Sequence, residues 1–502
     1  MGAPTIRTRE ADNTYVPQVE QGMILGFLCR SQRGPTSESE GGPVDLKSSA
    51  DVSRQLGLAT ASIDAADMIN YVIGKGAEVR AVVVRGTGSA VATVTLLDAG
   101  GIACLEIRAK NPGLWGNNLT VTITDDPSDA VNFYKITVAY STQTELAESY
   151  DHASMDSTQK YYVEYLVNDV SNLLIVNRLT ANRPANIAAQ ALTGGLDGTA
   201  PVAADYQAAW TLFDGDQELT HFSFDSDDGE VWSDAVDYAD VRDDAVVIHG
   251  IPRLLTAAQG VSYRQGAGGY GHSDVDSSQT ALFYAAPLIR LKGSYGGQPA
   301  YNKAYVLGQF AEKMVNDYPW FAVAGKHRGV IPKALGVLYN VKGKAAATTF
   351  ADEEINPIIY DKPSRKTMIY DDLTCQHAVT QLRNLGVREL VNWIKRRWRY
   401  HADEILFDPN DPTSWRTLYD RMSVDLNYAA EHRGLDGYEG DGWTYVGDQD
   451  VILRQNATFN SQADLLQGKY KADLYIVPLG AIRDITLTTV LTKTSAEFTV
   501  SE

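Results

Sequence analysis

The chain has 502 residues, and its composition, with 44% hydrophobic and 21% charged residues, is that of an ordinary soluble globular protein. Its formal net charge of −19 argues against general nucleic-acid binding, which needs a positively charged surface. No apolar run reaches the roughly 20 residues that span a bilayer, and the first ten residues lack the apolar core of a signal peptide. We therefore expect a protein without membrane insertion, made in a cytoplasm, with about three domains for this length.

The first 88 residues predict an extended arm followed by the start of an α/β domain. Residues 1–20 are polar and show no helical period, which is typical of an arm. Within residues 21–88, an apolar strand is predicted at 22–30, an amphipathic helix at 64–73 and a second strand at 79–85. The order of strand, helix and strand indicates the beginning of a parallel sheet.

Residues 89–200 predict a small β-rich domain inserted into the α/β one. Their first half alternates apolar residues with Thr or other polar residues, which is the period of half-buried strands. Farther along, a helix at 158–170 and a strand at 172–177 indicate a return to α/β alternation. The predicted strands of the alternating segment are 92–97, 119–124 and 135–140.

Residues 201–365 predict the larger part of the α/β domain. A helix near 205–213 precedes an apolar strand at 245–250. A helix at 302–315, which carries one apolar face, precedes a predicted strand at 320–325. Several such units imply a sheet covered by helices on both faces.

Residues 366–493 predict an α+β C-terminal domain, and residues 494–502 a C-terminal arm. Helices are predicted around 375–406 and 413–433. Helices followed by strands are typical of an α+β module, so the whole chain is predicted to be an α+β multidomain protein. The predicted strands of this part lie near 450–454, 472–477, 484–491 and 496–500.

Candidate catalytic, nucleotide and metal motifs are incomplete. Residues 266–271 match GxGxxG by letter, but they lack the strand before and the helix after that a dinucleotide site needs, so a flexible loop is predicted. Residues 225–230 resemble part of a calcium loop with an incomplete ligand set, which favours a solvated acidic turn. His249 ends a predicted strand without a plausible Ser–His–Asp set. We therefore predict no enzyme activity, no cofactor and no metal site.

Four short segments of the chain carry a family resemblance. Residues 22–35 form a predicted buried strand ending in Arg-Gly-Pro, and residues 111–118 read Asn-Pro-Gly-Leu-Trp-Gly-Asn-Asn. Residues 192–198 read Leu-Thr-Gly-Gly-Leu-Asp-Gly, and residues 354–357 read Glu-Ile-Asn-Pro. In this order and spacing they resemble the contractile tail sheath family of phages and phage-like injection particles. The resemblance covers nearly the whole chain, although residues 362–375 depart from the glycine-rich turn that the family has there.

The motif residues of the second and third segments indicate a structural role. Proline restricts φ and glycine tolerates positive φ, which lets the backbone turn around a buried tryptophan. Such residues bend the backbone and offer no nucleophile, which suits a scaffold. They are Pro112, Gly113, Trp115, Gly116, Asn117, Gly194, Gly195, Asp197 and Gly198.

The resemblance implies a subtilisin-like α/β core that has lost catalysis, with the β-rich insertion outside and the C-terminal domain against a tail tube. It implies hexameric rings stacked into a sleeve that contracts by subunit rearrangement and drives the tube through a host envelope. The implied partners are neighbouring subunits, joined through strand exchange by the terminal arms, and tail tube, baseplate and tail terminator proteins. The subunit would be assembled in the host cytoplasm and would reside in the virion.

Three other functions remain open at this stage. The sheath could belong to a contractile bacteriocin or to a secretion apparatus, which the sequence does not separate from a phage. A subtilisin-like hydrolase is an alternative of a different class, against which the missing triad argues. The Thr-rich strands also allow a β-rich adhesin or a capsid-like shell protein.

A basic cluster on the predicted helix at 375–406 is the candidate tube-facing surface. Six basic residues and one acidic residue fall between positions 383 and 399. One interpretation is a solvated helical face with cations favoured near its C-terminus. The other, which follows from the resemblance, is contact with an acidic tail tube through Arg388, Lys395, Arg396 and Arg399.

The three cysteines, Cys29, Cys104 and Cys375, show no metal-binding spacing. Buried free thiols are one interpretation, since cysteine is among the most buried residue types. The other is a disulfide between subunits, through Cys104 or Cys375, in the oxidising medium around a released particle.

Overall fold

The computed structural model describes residues 22–36, 42–58, 65–130, 132–290, 296–341, 344–436, 444–445, 466–470 and 474–483. The predicted arms at 1–20 and 494–502 lie outside these residues. So do the predicted strands at 450–454, 484–491 and 496–500.

The first part of the central domain has the predicted order of strand, helix and strand. The stripe of apolar residues at 65, 68, 69 and 72 forms the buried face of the second helix. The elements are β1 (Ile24–Cys29), β2 (Val44–Leu46), α1 (Ser49–Gln55), α2 (Ala65–Ile73) and β3 (Glu78–Val83).

Residues 89–197, which we call the inserted β unit, follow β3 and form antiparallel sheets around a separate apolar core. The three predicted strands are present, and the helix and strand predicted at 158–170 and 172–177 also belong here. The α/β alternation predicted for those two elements is wrong, because the strand at Leu174–Arg178 pairs antiparallel with Ala103–Ala109. The elements are β4 (Ser89–Ala90), β5 (Thr93–Leu97), β6 (Ala103–Ala109), β7 (Leu119–Asp125), β8 (Tyr134–Tyr140), β9 (Glu148–Ala153), α3 (Val163–Asn168), β10 (Leu174–Arg178), β11 (Ile187–Ala191) and β12 (Leu196–Asp197).

The chain then returns to the central domain, where strands alternate with helices. The elements are α4 (Ala203–Trp210), β13 (His221–Phe224), α5 (Gly229–Arg242), β14 (Val246–Gly250), α6 (Ala257–Arg264), β15 (Thr280–Tyr284), β16 (Pro287–Arg290), β17 (Gly297–Pro299), α7 (Asn302–Asn316), α8 (Gly325–Arg328), β18 (Ala334–Val337), α9 (Lys344–Asp352), β19 (Ile355–Asp361) and β20 (Lys366–Ile369).

The strand predicted at 320–325 is absent. This segment forms turns before α8, because Trp320 stacks on Tyr318 and donates its indole N–H to the carbonyl of His432 at 3.0 Å. The tryptophan therefore packs into the C-terminal part and does not join the sheet.

The central sheet has eight strands in the order β2-β3-β1-β13-β14-β15-β19-β20. The six inner strands run parallel, and the edge strands β2 and β20 are antiparallel to their neighbours. Parallel strands covered on both faces need continuous apolar runs, and β13, β14 and β15 are buried at every position.

Two long helices, α10 (Leu385–Ile405) and α11 (Pro412–Glu431), form what we call the C-terminal helix pair. Asp411 caps α11 by accepting from the backbone N–H groups of Thr413 and Ser414, with Pro412 at the first helical position. The pair packs around an apolar cluster that includes Trp393 and Leu426. Two short strands that follow α11 in the chain, β21 (Thr444–Tyr445) and β22 (Leu474–Tyr475), pair antiparallel with each other. The predicted mixed α+β architecture is thus confirmed.

Candidate functional site

The inserted β unit and the C-terminal helix pair lie at opposite ends of the parallel strands of the central sheet. The carboxyl ends of these strands lie together on one side of the sheet, which we call the carboxyl edge. Their amino ends lie together on the other side, which we call the amino edge. The inserted unit leaves the carboxyl end of β3 and packs against the segment after β1. Helix α10 contacts His221, the first residue of β13, and Asp244 and Gln279, which precede β14 and β15.

Arg33 joins the inserted unit to the central domain at the carboxyl edge. Arg33 is only 1% exposed. Its guanidinium carbon lies 5.1 Å from the ring centre of Tyr140 and 5.7 Å from that of Trp115. Its Nη2 donates to the carbonyl of Ser53 at 2.6 Å. Cation–π contacts of this kind strengthen when they are shielded from water. We call this contact, with the motif residues described next, the carboxyl-edge junction.

The two glycine-rich motifs meet in this junction. The side chain of Asn117 donates to the carbonyl of Gly195 at 2.9 Å and accepts from its N–H at 2.8 Å. The carboxylate of Asp197 accepts from the backbone N–H of Leu114 at 2.9 Å and pairs with Arg85 at 3.2 Å. The two motifs thus form one hydrogen-bonded assembly of turns.

The glycines permit this close approach. Gly113 has φ 135°, and a Cβ there would lie 3.0 Å from the carbonyl oxygen of Gln32. A Cβ on Gly195 would lie 2.5 Å from the carbonyl oxygen of Gly113. The remaining motif residues lie in the same turns: the carbonyl of Pro112 accepts from the indole of Trp115 at 3.2 Å, Gly116 packs on Ala92 and Ala109, and Gly194 and Gly198 have positive φ.

The acidic segment at 225–230 is only in part the predicted solvated turn, because Asp228 and Glu230 are exposed whereas Asp225 is not. Asp225 is buried, and it accepts from the hydroxyl of Tyr206 at 2.7 Å and pairs with Arg30 at 3.1 Å. Asp228 caps α5 by accepting from the N–H of Glu230 at 3.0 Å. Asp225 is buried because it directly follows β13 at the carboxyl edge, beside the end of β1.

His249 is surrounded by buried aromatic residues, and the GxGxxG segment lies in a loop. The imidazole of His249 is buried between the rings of Phe224 and Trp232, and its Nε2 lies 3.0 Å from the hydroxyl of Tyr263. Burial lowers the pKa of His249 well below its ordinary value. Residues 266–271 form a loop between α6 and β15, as predicted. Across the described ranges, no cluster of His, Cys, Asp or Glu could hold a metal ion, and no helix there could cross a membrane.

A buried charge network holds α10 to the amino edge of the sheet, and we call it the amino-edge seam. Glu389 on α10 lies 2.6 Å from the ammonium of Lys313 and 3.2 Å from Nε2 of His221. All three residues are buried, and burial lowers the pKa of His221. Asp372 accepts from the N–H of Gly386 at 3.1 Å, and burial raises its pKa to about 6. No sequence pattern indicated this seam, although Glu389 stands within a largely apolar stretch of α10.

The candidate tube-facing residues contact the same chain in this structure. Arg388 and Lys395 pair with Asp243, and Arg399 pairs with Asp244. Arg396 donates to the carbonyl of Asp244. Arg388 and Arg396 are buried, so neither the solvated face nor an open contact surface describes them, whereas the side chains of Lys395 and Arg399 are each 38% exposed.

The cysteines Cys29, Cys104 and Cys375 are free thiols that are 0% exposed. Burial raises the pKa of Cys375 to about 11, and it also raises the pKa of Cys104. A disulfide between subunits would require the sulfur of Cys104 or Cys375 to reach the surface. The structure therefore favours the interpretation of buried free thiols over that of a disulfide between subunits.

Comparison with known proteins agrees with the resemblance seen in the motifs. No protein-family model matches the chain. The chain is 27% identical over 331 residues to the tail sheath protein of phage T4, a match that covers 61% of this chain and 47% of the phage protein. This chain thus matches about half the length of that relative.

Solved structures of sheath proteins share the fold. The sheath tail protein Lin1278 from Listeria innocua superposes with a TM-score of 0.62 at 14% identity, covering 86% of this chain and 90% of that one. The helical sheath of the anti-feeding prophage in its contracted state gives a TM-score of 0.55 at 12% identity, over 98% of this chain and 99% of the other. The resemblance predicted from the sequence is confirmed: the chain is related in sequence to the phage T4 tail sheath protein and has the fold of sheath proteins.

Proposed function

We propose that this chain is the structural subunit of a contractile tail sheath, which polymerises as hexameric rings around a tail tube. The observation that carries the proposal is the sequence relation to a tail sheath protein together with a fold shared with a contracted sheath over 98% of the chain. Contraction would proceed by rearrangement of subunits and would drive the tube through the host envelope. The energy would come from the difference between two sets of contacts between subunits.

The arrangement of the subunit supports this function. The inserted β unit and the C-terminal helix pair extend from opposite edges of one buried sheet, so one can face outward while the other faces a central tube. The carboxyl-edge junction and the amino-edge seam fix both to the sheet through buried contacts. A subunit that rotates during contraction needs such rigidity, since a loose connection would dissipate the motion.

We further propose that the central domain is a subtilisin-like α/β core without catalysis. The polar groups at the carboxyl ends of β1 and β13 contact one another through the Arg30–Asp225 pair, and His249 is enclosed by aromatic rings. These contacts favour a structural role over the hydrolase alternative. A fluorophosphonate probe for reactive serines should leave the purified chain unlabelled, and stoichiometric labelling would favour the hydrolase.

The partners of the sheath are proposed to be neighbouring subunits, a tail tube, a baseplate and a tail terminator. Neighbours would be joined by strand exchange through the terminal arms, residues 1–20 and 494–502. Removing residues 1–17 or 494–502 should leave a cooperatively folding chain that forms no sleeves. Full-length sleeves from both truncated chains would exclude strand exchange through these arms.

Contact with the tube is proposed for Lys395 and Arg399, whose side chains are partly exposed. The double variant Lys395→Glu/Arg399→Glu should lose co-assembly with tube protein while its thermal unfolding stays cooperative. The matched control is Arg108→Glu/Lys160→Glu, which changes the same charge on exposed positions of the inserted β unit. Equal tube binding by both variants at low and high salt would exclude this contact.

Negative-stain electron microscopy of the purified full chain tests the central proposal. We expect hollow sleeves of uniform diameter, which dissociated rings or monomers would contradict. A compact closed shell would favour the capsid-like alternative. In a phage, the subunit would be assembled in the host cytoplasm and carried in the virion. Sleeves found in cells that contain no phage genes would instead favour a bacteriocin or a secretion apparatus.

A further inference from the structure

The hairpin between β19 and β20 presents positive charge on a chain whose net charge is −19. Lys362, Arg365 and Lys366 lie at this turn and are exposed. Lys326 on α8 reaches the same place, because its ammonium lies 3.4 Å from the carboxylate of Asp361 at the end of β19 while 69% of its side chain stays exposed.

Lys333 extends this surface from a neighbouring segment. Val330 pairs with Met368 in an antiparallel bridge, and the N–H of Ile331 donates to the carbonyl of Thr367 at 2.9 Å. Two residues farther on, Lys333 is exposed in the turn that leads into β18. We call Lys326, Lys333, Lys362, Arg365 and Lys366 the basic hairpin surface.

The outer face of α5 carries the opposite charge. Glu230, Asp234 and Asp237 are spaced by four and three residues, so they share one face of the helix. Burial and the charges of Glu230, Asp237 and Asp228 raise the pKa of Asp234. Like charges at this spacing destabilise a helix, and no cation in the described part of the chain forms an ion pair with these three. We call them the acidic α5 face.

These two surfaces do not meet within one chain. Helix α5 packs on β13 and β14, whereas the hairpin closes the far end of the sheet, with β15 in between. The two surfaces can therefore contact each other only between different copies of the chain. A nucleic acid is disfavoured as the partner of the basic surface, because the remainder of the chain would repel a polyanion.

We propose that the basic hairpin surface of one copy binds the acidic α5 face of the next copy. The inference rests on the proposed sheath function and names two surfaces through which neighbouring subunits join. Where the two surfaces of one copy engage two different neighbours, the contact is head-to-tail, and its repetition builds rings or helical filaments. Charge complementarity of this kind sets register and partner choice.

Charge reversal on each surface, followed by reversal on both, tests the contact. The variants are Lys362→Glu/Lys366→Glu, Glu230→Lys/Asp237→Lys and the quadruple combination, which leaves the net charge unchanged. Arg108→Glu/Lys160→Glu is the control that matches the charge change of Lys362→Glu/Lys366→Glu. Sedimentation velocity of the full chain at low and high salt measures self-association, and circular dichroism confirms that each variant is folded. Each double reversal should weaken self-association by about tenfold or more, which is about 1.4 kcal/mol. The quadruple variant should recover most of the loss, and the control should associate as the unmodified chain does.

The outcomes separate this inference from the proposed function. If the unmodified chain forms sleeves and both double reversals form them equally well, the contact is wrong while the sheath function stands. If the quadruple variant associates no better than the two doubles, the two surfaces are not each other's partners. An unmodified chain that remains monomeric at every concentration and salt would overturn both proposals.

Discussion

The side chain of Asn117 closes on the backbone of Gly195, which lies 78 residues farther along the chain. One amide group thus satisfies both the carbonyl and the N–H of a glycine that has no room for a side chain. This pair joins the two motifs by which the chain resembles sheath proteins. The motifs are therefore halves of one structural device at the base of the inserted β unit.

Replacing Asn117 with Ala removes both hydrogen bonds and leaves the carbonyl and the N–H of buried Gly195 without these partners. We expect Asn117→Ala to lower the free energy of unfolding by about 1–2 kcal/mol. Urea denaturation monitored by circular dichroism measures this change. Asn132→Ala, which removes an exposed amide that bonds locally to Asp129, should change it by less than about 0.5 kcal/mol. Equal effects of the two substitutions would contradict the bridging role.

Arg33 stabilises the carboxyl-edge junction through both its guanidinium charge and the aliphatic part of its side chain. Arg33→Ala should cost about 2–4 kcal/mol, because it leaves a cavity between two aromatic rings and removes the cation–π contacts. Arg33→Met should cost clearly less, since it fills the space without burying a charge. Denaturant unfolding of both variants measures the difference, and an Ala variant as stable as the Met variant would exclude this role.

Glu389 balances a buried lysine in the amino-edge seam. Glu389→Ala leaves the ammonium of Lys313 buried without its carboxylate, so we expect a loss of about 3–5 kcal/mol. The double variant Lys313→Met/Glu389→Leu should be more stable than the single variant, because no unpaired charge remains. Calorimetry of the two proteins and the unmodified chain measures the order. A double variant less stable than Glu389→Ala would contradict it.

Asp372 makes the stability of the seam depend on pH. Burial raises its pKa from 3.8 to about 6 in the folded chain, with Glu389 adding to the effect and Lys313 opposing it. Between pH 3.8 and about pH 6, Asp372 in the folded chain therefore holds a proton that it has released in the unfolded chain. The free energy of unfolding should therefore fall as pH rises through this window, by about 2–3 kcal/mol in total.

Asp372→Asn tests this dependence, because the amide does not titrate. The difference in free energy of unfolding between the variant and the unmodified chain should grow in the variant's favour from pH 4 to pH 7 and then stay constant. Urea titrations at several pH values measure it. A difference that does not change with pH would show that Asp372 titrates at its ordinary value.

The burial of Cys29, Cys104 and Cys375 predicts unreactive thiols. Since the thiolate is the reactive form, a raised pKa slows the reaction further. The native chain should react with a disulfide reagent far more slowly than the chain in denaturant, which should expose all three thiols. Assembled particles should run as one monomer band on a non-reducing gel. A ladder that collapses with reductant would restore the disulfide between subunits.

The sequence by itself determined the elements that local patterns specify. Apolar runs placed β1, β3 and β14, because strands covered on both faces need such runs. The 3.6-residue period placed α2 and α7, because it matches a single buried face of a helix. The alternating strands β5, β7 and β8 followed from the period of two. The motif residues from 112 to 118 and from 194 to 198 indicated turns, because proline and glycine restrict or permit backbone angles wherever they stand.

Tertiary structure decided what depended on distant partners. The segment 320–325 has the composition of a strand, yet Trp320 packs against Tyr318 and the C-terminal helix pair, and the strand at Leu174–Arg178 joins the inserted unit through β6. The cations of α10 suggested an open surface, but Asp243 and Asp244, some 150 positions earlier in the chain, lie against them. No local pattern encodes such pairings, because the Coulomb and packing energies that select them depend on distances in space, which only the folded sheet establishes.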